Sequence, residues 1–175
     1  MTRTLALAAA LAALSPGASA DGPRAATIAD LYRVRGVAEP AVAPDGRSVV
    51  FTVTTTDLPA IERQTALHRV GADGTGARTL TRSGKRDASP AFSPDGSVLA
   101  FLSTRAGEPQ VYFLPTAGGE AERKTDVPGG VGSFLFTPDA RRLLLTAEVW
   151  PECGADAACN RKKDEAMEKG KMRAY

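Results

Sequence analysis

One short segment, built on a Pro-Asp pair, occurs three times in this chain and limits its fold more than any other feature. The first copy reads Ala41-Val42-Ala43-Pro44-Asp45-Gly46-Arg47-Ser48-Val49-Val50-Phe51. The second reads Ala91-Phe92-Ser93-Pro94-Asp95-Gly96-Ser97-Val98-Leu99-Ala100-Phe101. The third is Leu135-Phe136-Thr137-Pro138-Asp139-Ala140-Arg141-Arg142-Leu143-Leu144-Leu145. Their aspartates lie 50 and then 44 residues apart. Proline presets φ for the first corner of a type I turn, aspartate bonds back to local amides, and glycine relaxes the exit. Ala140 stands where glycine is expected, so the third turn is the weakest match. The short apolar runs that follow, such as Val49-Val50-Phe51 and Leu143-Leu144-Leu145, suit strands covered on both faces.

A second pair of strands lies between the copies. Leu67 to Val70 lead into Gly71-Ala72-Asp73-Gly74-Thr75-Gly76, and Ala77 to Thr81 lead out. In the next copy Val111 to Leu114 lead into Thr116-Ala117-Gly118-Gly119, and Glu120 to Thr125 lead out. Glycines here allow the positive φ that tight strand reversals need. The unit is therefore four strands per 44 to 50 residues, the period of a β-propeller blade. An all-β sandwich also shows spaced turns, but not an aligned motif three times over. The expected fold is all-β: an incomplete β-propeller of about two blades and the start of a third, over residues 21–149. Propellers close with four to eight blades, so this stretch cannot close one alone, and it is expected to leave apolar strand edges unpaired.

Residues 1–20 are read as a secretory signal peptide. Arg3 supplies the positive n-region, Leu5 to Leu14 the apolar h-region, and Ala18-Ser19-Ala20 the small residues of a cleavage site. No apolar stretch reaches the roughly 18 to 20 residues that span a bilayer. The expectation is a periplasmic or secreted protein with no membrane span after cleavage. A formal charge of +2, falling to about +1 in the mature chain, is far from the basic footprint of a nucleic-acid binder. In an oxidising compartment, Cys153 and Cys159, with five residues between them, are expected to form a local disulfide. Zinc is the alternative, but a tetrahedral site needs two further ligands that nothing nearby supplies.

Little else in the sequence can do chemistry. His68 is the single histidine; it falls in an expected strand, with no serine marked as its partner. The glycine-rich Gly71–Gly76 segment lacks phosphate-loop spacing and joins strand to strand, so it reads as a turn. Asp45, Asp95 and Asp139 each stand without the neighbouring ligands a calcium site needs. No catalytic, cofactor or metal site is therefore assigned. After Val149-Trp150-Pro151, residues 150–175 hold the cysteine loop and a charged stretch, Asn160 to Lys169. There Arg161–Glu165 and Glu165–Lys169 place opposite charges at i,i+4 and predict a short exposed helix.

The segment Ile28-Ala29-Asp30-Leu31-Tyr32-Arg33-Val34-Arg35-Gly36-Val37-Ala38-Glu39-Pro40, running into Ala43-Pro44-Asp45-Gly46, resembles the start of secreted prolyl oligopeptidase-family serine peptidases. The stretch from Trp150 through Cys153 to Cys159, with its charged helix, is similar to an insertion in a bacterial branch of that family. The repeats alone are shared with periplasmic propellers of the Tol type. The resemblance implies a two-domain enzyme. Its propeller screens short peptide substrates, and its partner is a C-terminal α/β-hydrolase domain carrying a Ser-Asp-His triad. No Gly-x-Ser-x-Gly elbow occurs in this sequence, so no triad role can be carried over to any residue here. Some relatives hold the peptide N-terminus through propeller glutamates; Glu148 and Glu152 lie near the insertion, but no motif licenses the transfer. The leading expectation is a propeller fragment of an exported peptidase, inactive by itself. The alternatives are a non-catalytic Tol-type propeller that binds other proteins, or a truncated remnant.

Overall fold

The computed structural model describes residues 25–83 and 85–171. The signal peptide expected at 1–20 lies outside the described residues. A single turn and a half of helix, α1 (Ile28–Arg33), comes first, with the Asp30 carboxylate accepting the Thr27 N–H at 2.8 Å. Ten strands and a second helix follow. They are β1 (Gly36–Val42), β2 (Ser48–Asp57), β3 (Glu62–Gly71), β4 (Arg78–Thr79), β5 (Asp87–Phe92), β6 (Val98–Ser103), β7 (Gln110–Pro115), β8 (Glu122–Arg123), β9 (Ser133–Phe136), β10 (Leu143–Thr146) and α2 (Ala157–Lys171).

The strands form three sheets, each taken consecutively from the chain: β1-β2-β3-β4, β5-β6-β7-β8 and the pair β9-β10. Every pairing within them is antiparallel. Two complete blades and the first half of a third are therefore present, as the repeat spacing predicts. Each Pro-Asp turn joins the first two strands of its sheet, and each glycine-rich segment joins the last two. The outermost strands, β4 and β8, have only two residues each, which keeps that edge of each blade short and hard to extend, while the opposite edges are β1 of seven residues and β5 of six.

Alternation along β6 builds the core. Leu99 and Phe101 point one way, into a cluster with Val50, Leu67, Tyr112 and Leu114 that joins blade 1 to blade 2. Ala100 and Leu102 point the other way, into a cluster with Val111, Val131 and Phe134 that joins blade 2 to the third sheet. Phe101, Leu67 and Ala100 are fully enclosed. At about 1.5 to 3 kcal/mol for each large apolar side chain buried, these two seams hold the arc together. A parallel bridge, Thr65 to Arg86, adds a backbone stitch between the first two blades.

One expectation needs correction. The Leu143–Leu145 run is not covered on both faces: Leu144 is 63% exposed and Leu145 39%, because only one side of β9-β10 packs on a neighbour. The expected apolar edges are present beside these exposed faces: Val37 and Val42 lie on the edge strand β1, and Leu135 and Leu144 on the two-stranded third sheet, and all four are more than half exposed.

Candidate functional site at the repeat turns and the cysteine-closed insertion

The three Pro-Asp turns share one geometry. In each, the residue before proline accepts the N–H three residues on: Gly46 to Ala43, Gly96 to Ser93, and Ala140 to Thr137, at 2.8 to 2.9 Å. The aspartate Oδ1 accepts the amide two residues ahead, from Arg47 at 2.9 Å, Ser97 at 3.1 Å and Arg141 at 3.1 Å. Asp95 also takes the Ser93 hydroxyl at 2.6 Å, and Asp139 takes that of Thr137. These hydroxyls, joined by the Ser97 and Arg141 amides, hold Asp95 and Asp139 below the usual carboxylate range. Position 43 is alanine, so Asp45 lacks this hydroxyl partner. Gly46 and Gly96 sit at φ 68° and 72°, and Ala140 takes the same left-handed conformation at 57° without glycine's freedom. Carboxylates committed to their own turns have little left to offer a ligand. Among the described residues no three His, Cys, Asp or Glu side chains gather closely enough to hold a metal ion.

Three further devices, two of them repeated, went unread in the sequence. Both β1 and β5 carry a bulge, at Glu39 and Ser89, each with positive φ and each followed by proline. The Glu39 carboxylate accepts the Ser89 N–H at 2.8 Å, tying one bulge to the next. The doublets Glu39-Pro40 and Ser89-Pro90, spaced like the turns, were the available signal. Thr81 and Thr125 repeat likewise: their hydroxyls accept the N–H of Leu67 and Val111, at 3.0 and 2.9 Å, where the outer strand ends. The third device is a buried charge. Asp87, with no exposed surface, accepts hydroxyls from Ser103 at 2.6 Å and Ser83 at 3.0 Å, and Arg105 pairs with it at 3.3 Å. The Arg105 guanidinium lies over Tyr112, 4.6 Å from the ring centre, and beside Phe101 at 5.4 Å. A buried carboxylate with several donors is structural cement here, not a reactive group.

The cysteine insertion is also locked. Cys153 and Cys159 are bonded, with Cα atoms 5.5 Å apart. Asn160 is the pin: its Oδ1 accepts the Trp150 N–H at 2.7 Å, and its amide donates to the carbonyls of Gly154 and Asp156. The Trp150 indole N–H donates to Asp164 at 2.9 Å. Helix α2 starts three residues before the expected stretch. Its charges also serve otherwise than their i,i+4 spacing suggested. Arg161 reaches Asp126 at 3.4 Å and Lys163 reaches Glu152 at 2.6 Å, so they bind the helix to its surroundings. The Lys163 bond keeps the Glu152 carboxyl below its ordinary range. Between α2 and blade 2 lies an open cleft of about 730 Å³, lined by Glu108, Asp126, Glu148, Asp164, Glu165 and Glu168. Two guanidiniums, Arg123 and Arg161, share it. A cleft of that balance attracts cations and repels free carboxylates.

His68 stacks on Phe51, with ring centres 5.9 Å apart, and its Nδ1 lies 3.5 Å from the Thr79 hydroxyl. Partial burial, helped by the Arg35 charge, pushes its pKa down. Nothing else around it forms a nucleophile–base–orienter chain.

Consecutive four-stranded blades repeated about a common motif define this chain as a β-propeller segment. It belongs to the family described as the TolB beta propeller domain, PD40, whose model matches residues 15–151. It is 32% identical over 124 residues to the protein named uncharacterized peptidase YuxL of Bacillus subtilis, covering 70% of this chain and 19% of that protein. It is 29% identical over 138 residues to dipeptidyl-peptidase 5 of Porphyromonas gingivalis, covering 79% of this chain and 20% of the other. It is 35% identical over 131 residues to the protein TolB homolog of Chlorobium luteolum, covering 54% of this chain and 30% of that protein. Among solved structures, Pyrococcus horikoshii acylaminoacyl peptidase superposes with a TM-score of 0.57 at 15% identity, over 69% of this chain and 19% of that chain; this is likeness of fold. The chain spans about a fifth of the length of the peptidases it matches.

Proposed function

We propose that this chain is the N-terminal propeller part of an exported serine-type peptidase of the prolyl oligopeptidase family. Its role is to limit which short peptides reach a C-terminal α/β-hydrolase domain. The carrying observation is the span of the peptidase relatives, 70% and 79% of this chain against 54% for the TolB homolog. The reaction would be acyl transfer to a serine of that second domain and then hydrolysis, with no catalytic group drawn from residues 1–175. The division is residues 1–20 as signal peptide, 21–149 as blades and 150–175 as insertion. The Cys153–Cys159 bond supports a periplasmic or secreted location, since disulfides persist in oxidising compartments.

Labelling the full-length gene product with a fluorophosphonate probe, followed by peptide mapping, tests this. One labelled serine within a Gly-x-Ser-x-Gly segment outside residues 1–175, with cleavage of short peptides and not of folded proteins, is expected. An unlabelled product that nonetheless binds other proteins would favour the non-catalytic Tol-type reading, which the TolB homolog supports.

A further inference from the structure

The two blade-to-blade seams are built from equivalent positions, yet one is filled and the other is not. At the seam between blade 2 and the third sheet, Phe113 of β7 meets Phe136 of β9, with ring centres 5.7 Å apart. Phe113 is the register partner of Ala100, six residues after Pro94. The equivalent position in blade 1 is the partner of Val50, six residues after Pro44, and it holds Arg69. Phe92, two residues before Pro94, stands where Phe136 stands before Pro138. The aromatic pair is thus replaced by an arginine facing a phenylalanine. The space left is a cleft of about 260 Å³ between the blades.

A second arginine shares that cleft. Arg78 of β4 is the direct cross-strand partner of Arg69, and both line the opening. Like charges directly opposite on a sheet destabilise it. Neither side chain forms an ion pair or hydrogen bond within the described residues, and no carboxylate lines the cleft. Its inner walls are apolar: Val50, Phe92, Leu99 and Leu114, with Val50 and Leu99 each 1% exposed. Counting a water's share of liquid as about 30 Å³, the volume holds one compact organic group. Two unpaired guanidiniums above an apolar floor match an anion carried on a short apolar body, and a planar carboxylate suits their forked donors.

We propose that the cleft between blades 1 and 2 binds a carboxylate attached to a short apolar group, gripped by Arg69 and Arg78. A peptide C-terminus ending in an apolar residue and a medium-chain fatty acid both have this chemistry. The site is separate from the hydrolase reading and stands whether or not that reading survives.

The test is a titration of the full-length gene product, with Val and Leu methyl groups labelled for NMR. The probes are N-acetylphenylalanine, its uncharged carboxamide, and octanoate. Saturable shifts of the Val50, Leu99 and Leu114 methyls with a carboxylate probe, and none with the carboxamide, are expected. Arg78→Gln, at an exposed position, should weaken binding about tenfold or more, by loss of a charge-assisted contact. Arg69→Phe should abolish binding while keeping or raising the melting temperature, because it recreates the pair seen at Phe113 and Phe136. Tighter binding of N-acetylphenylalanine points to peptide C-termini, and tighter binding of octanoate to fatty acids. The proposal is overturned if neither acid shifts those methyls, if the carboxamide binds equally well, or if both substitutions leave the affinity unchanged.

Discussion

Replacing Arg105 with methionine isolates the contribution of the buried charge in blade 2. The thioether stem still covers Phe101 and Tyr112, so little packing is lost, but the guanidinium that neutralises Asp87 is gone. Asp87 is fully buried while Arg105 keeps about a quarter of its side chain exposed, so the unpaired group left behind is the carboxylate, held only by Ser103 and Ser83. Removing one partner of a buried pair destabilises by about 3 to 5 kcal/mol, and Arg105's partial exposure sets the expectation near the lower figure, about 3 kcal/mol. With a urea slope of about 2 kcal/mol per molar, the unfolding midpoint of the full chain should fall by about 1.5 M. In an Asp87→Asn background no buried charge remains to be stranded. There the same Arg105→Met change should cost about 1 kcal/mol, giving a coupling of about 2 kcal/mol. Urea titrations of the four proteins followed by circular dichroism measure this. A loss below about 1 kcal/mol in the first background, or equal losses in both, would refute the account of the network as a charge pair.

The turns, the insertion and the acid limb supply the remaining predictions. Gly46→Ala should destabilise by about 1 kcal/mol through the left-handed backbone, while Ala140→Gly, relieving the same strain against a larger chain-entropy loss, should stabilise by about 0.5 kcal/mol or less; thermal melts compare them. Joint Cys153→Ser and Cys159→Ser substitution, opening a seven-residue loop, should cost about 2 kcal/mol. Hydrogen exchange should show that loss in α2 and not in β5–β7. Asp73, Asp95 and Asp139 all have depressed pKa values from bonds to neighbouring hydroxyls and amides. Their stabilisation is therefore present above the ordinary carboxylate pKa near 4 and lost as pH falls through the lower folded values. Asp95→Asn should flatten that part of the stability curve, and an unchanged acid limb would count against the turn bonds. His68 is likewise lowered, so stability should fall slightly as pH drops below about 6.5, and His68→Gln should remove that dependence.

Legibility in the sequence followed locality. The Pro-Asp turns, the glycine hairpins and the cysteine loop could be read because each is decided by residues within a few positions of one another. The Asp87–Arg105 pair was not legible, since it depends on Ser103 lying across from Asp87 in the β5–β6 register. Arg161 misled for the opposite reason. Its neighbour Glu165 at i,i+4 offers a weak pair of a few tenths of a kcal/mol, and a tertiary partner at Asp126 takes its place. The Arg69–Arg78 cleft required knowing which residue of blade 1 occupies the place of Phe113, which the β2–β3 register supplies, and which residue lies opposite it, which β3–β4 pairing supplies.

Because each blade takes all of its strands from one uninterrupted stretch, no paired residues within the sheets lie further apart than Ser48 and Gly71, 23 positions. Chains whose contacts are this local close their loops with little entropy loss and fold fast. A ribosome releasing this chain from the N-terminus exposes everything blade 1 needs before β5 has been made. The blades can therefore set in order during synthesis, each new one finding the apolar face of its predecessor already formed. Misassembly would then be most probable in the interval when that face has been made and its next neighbour has not.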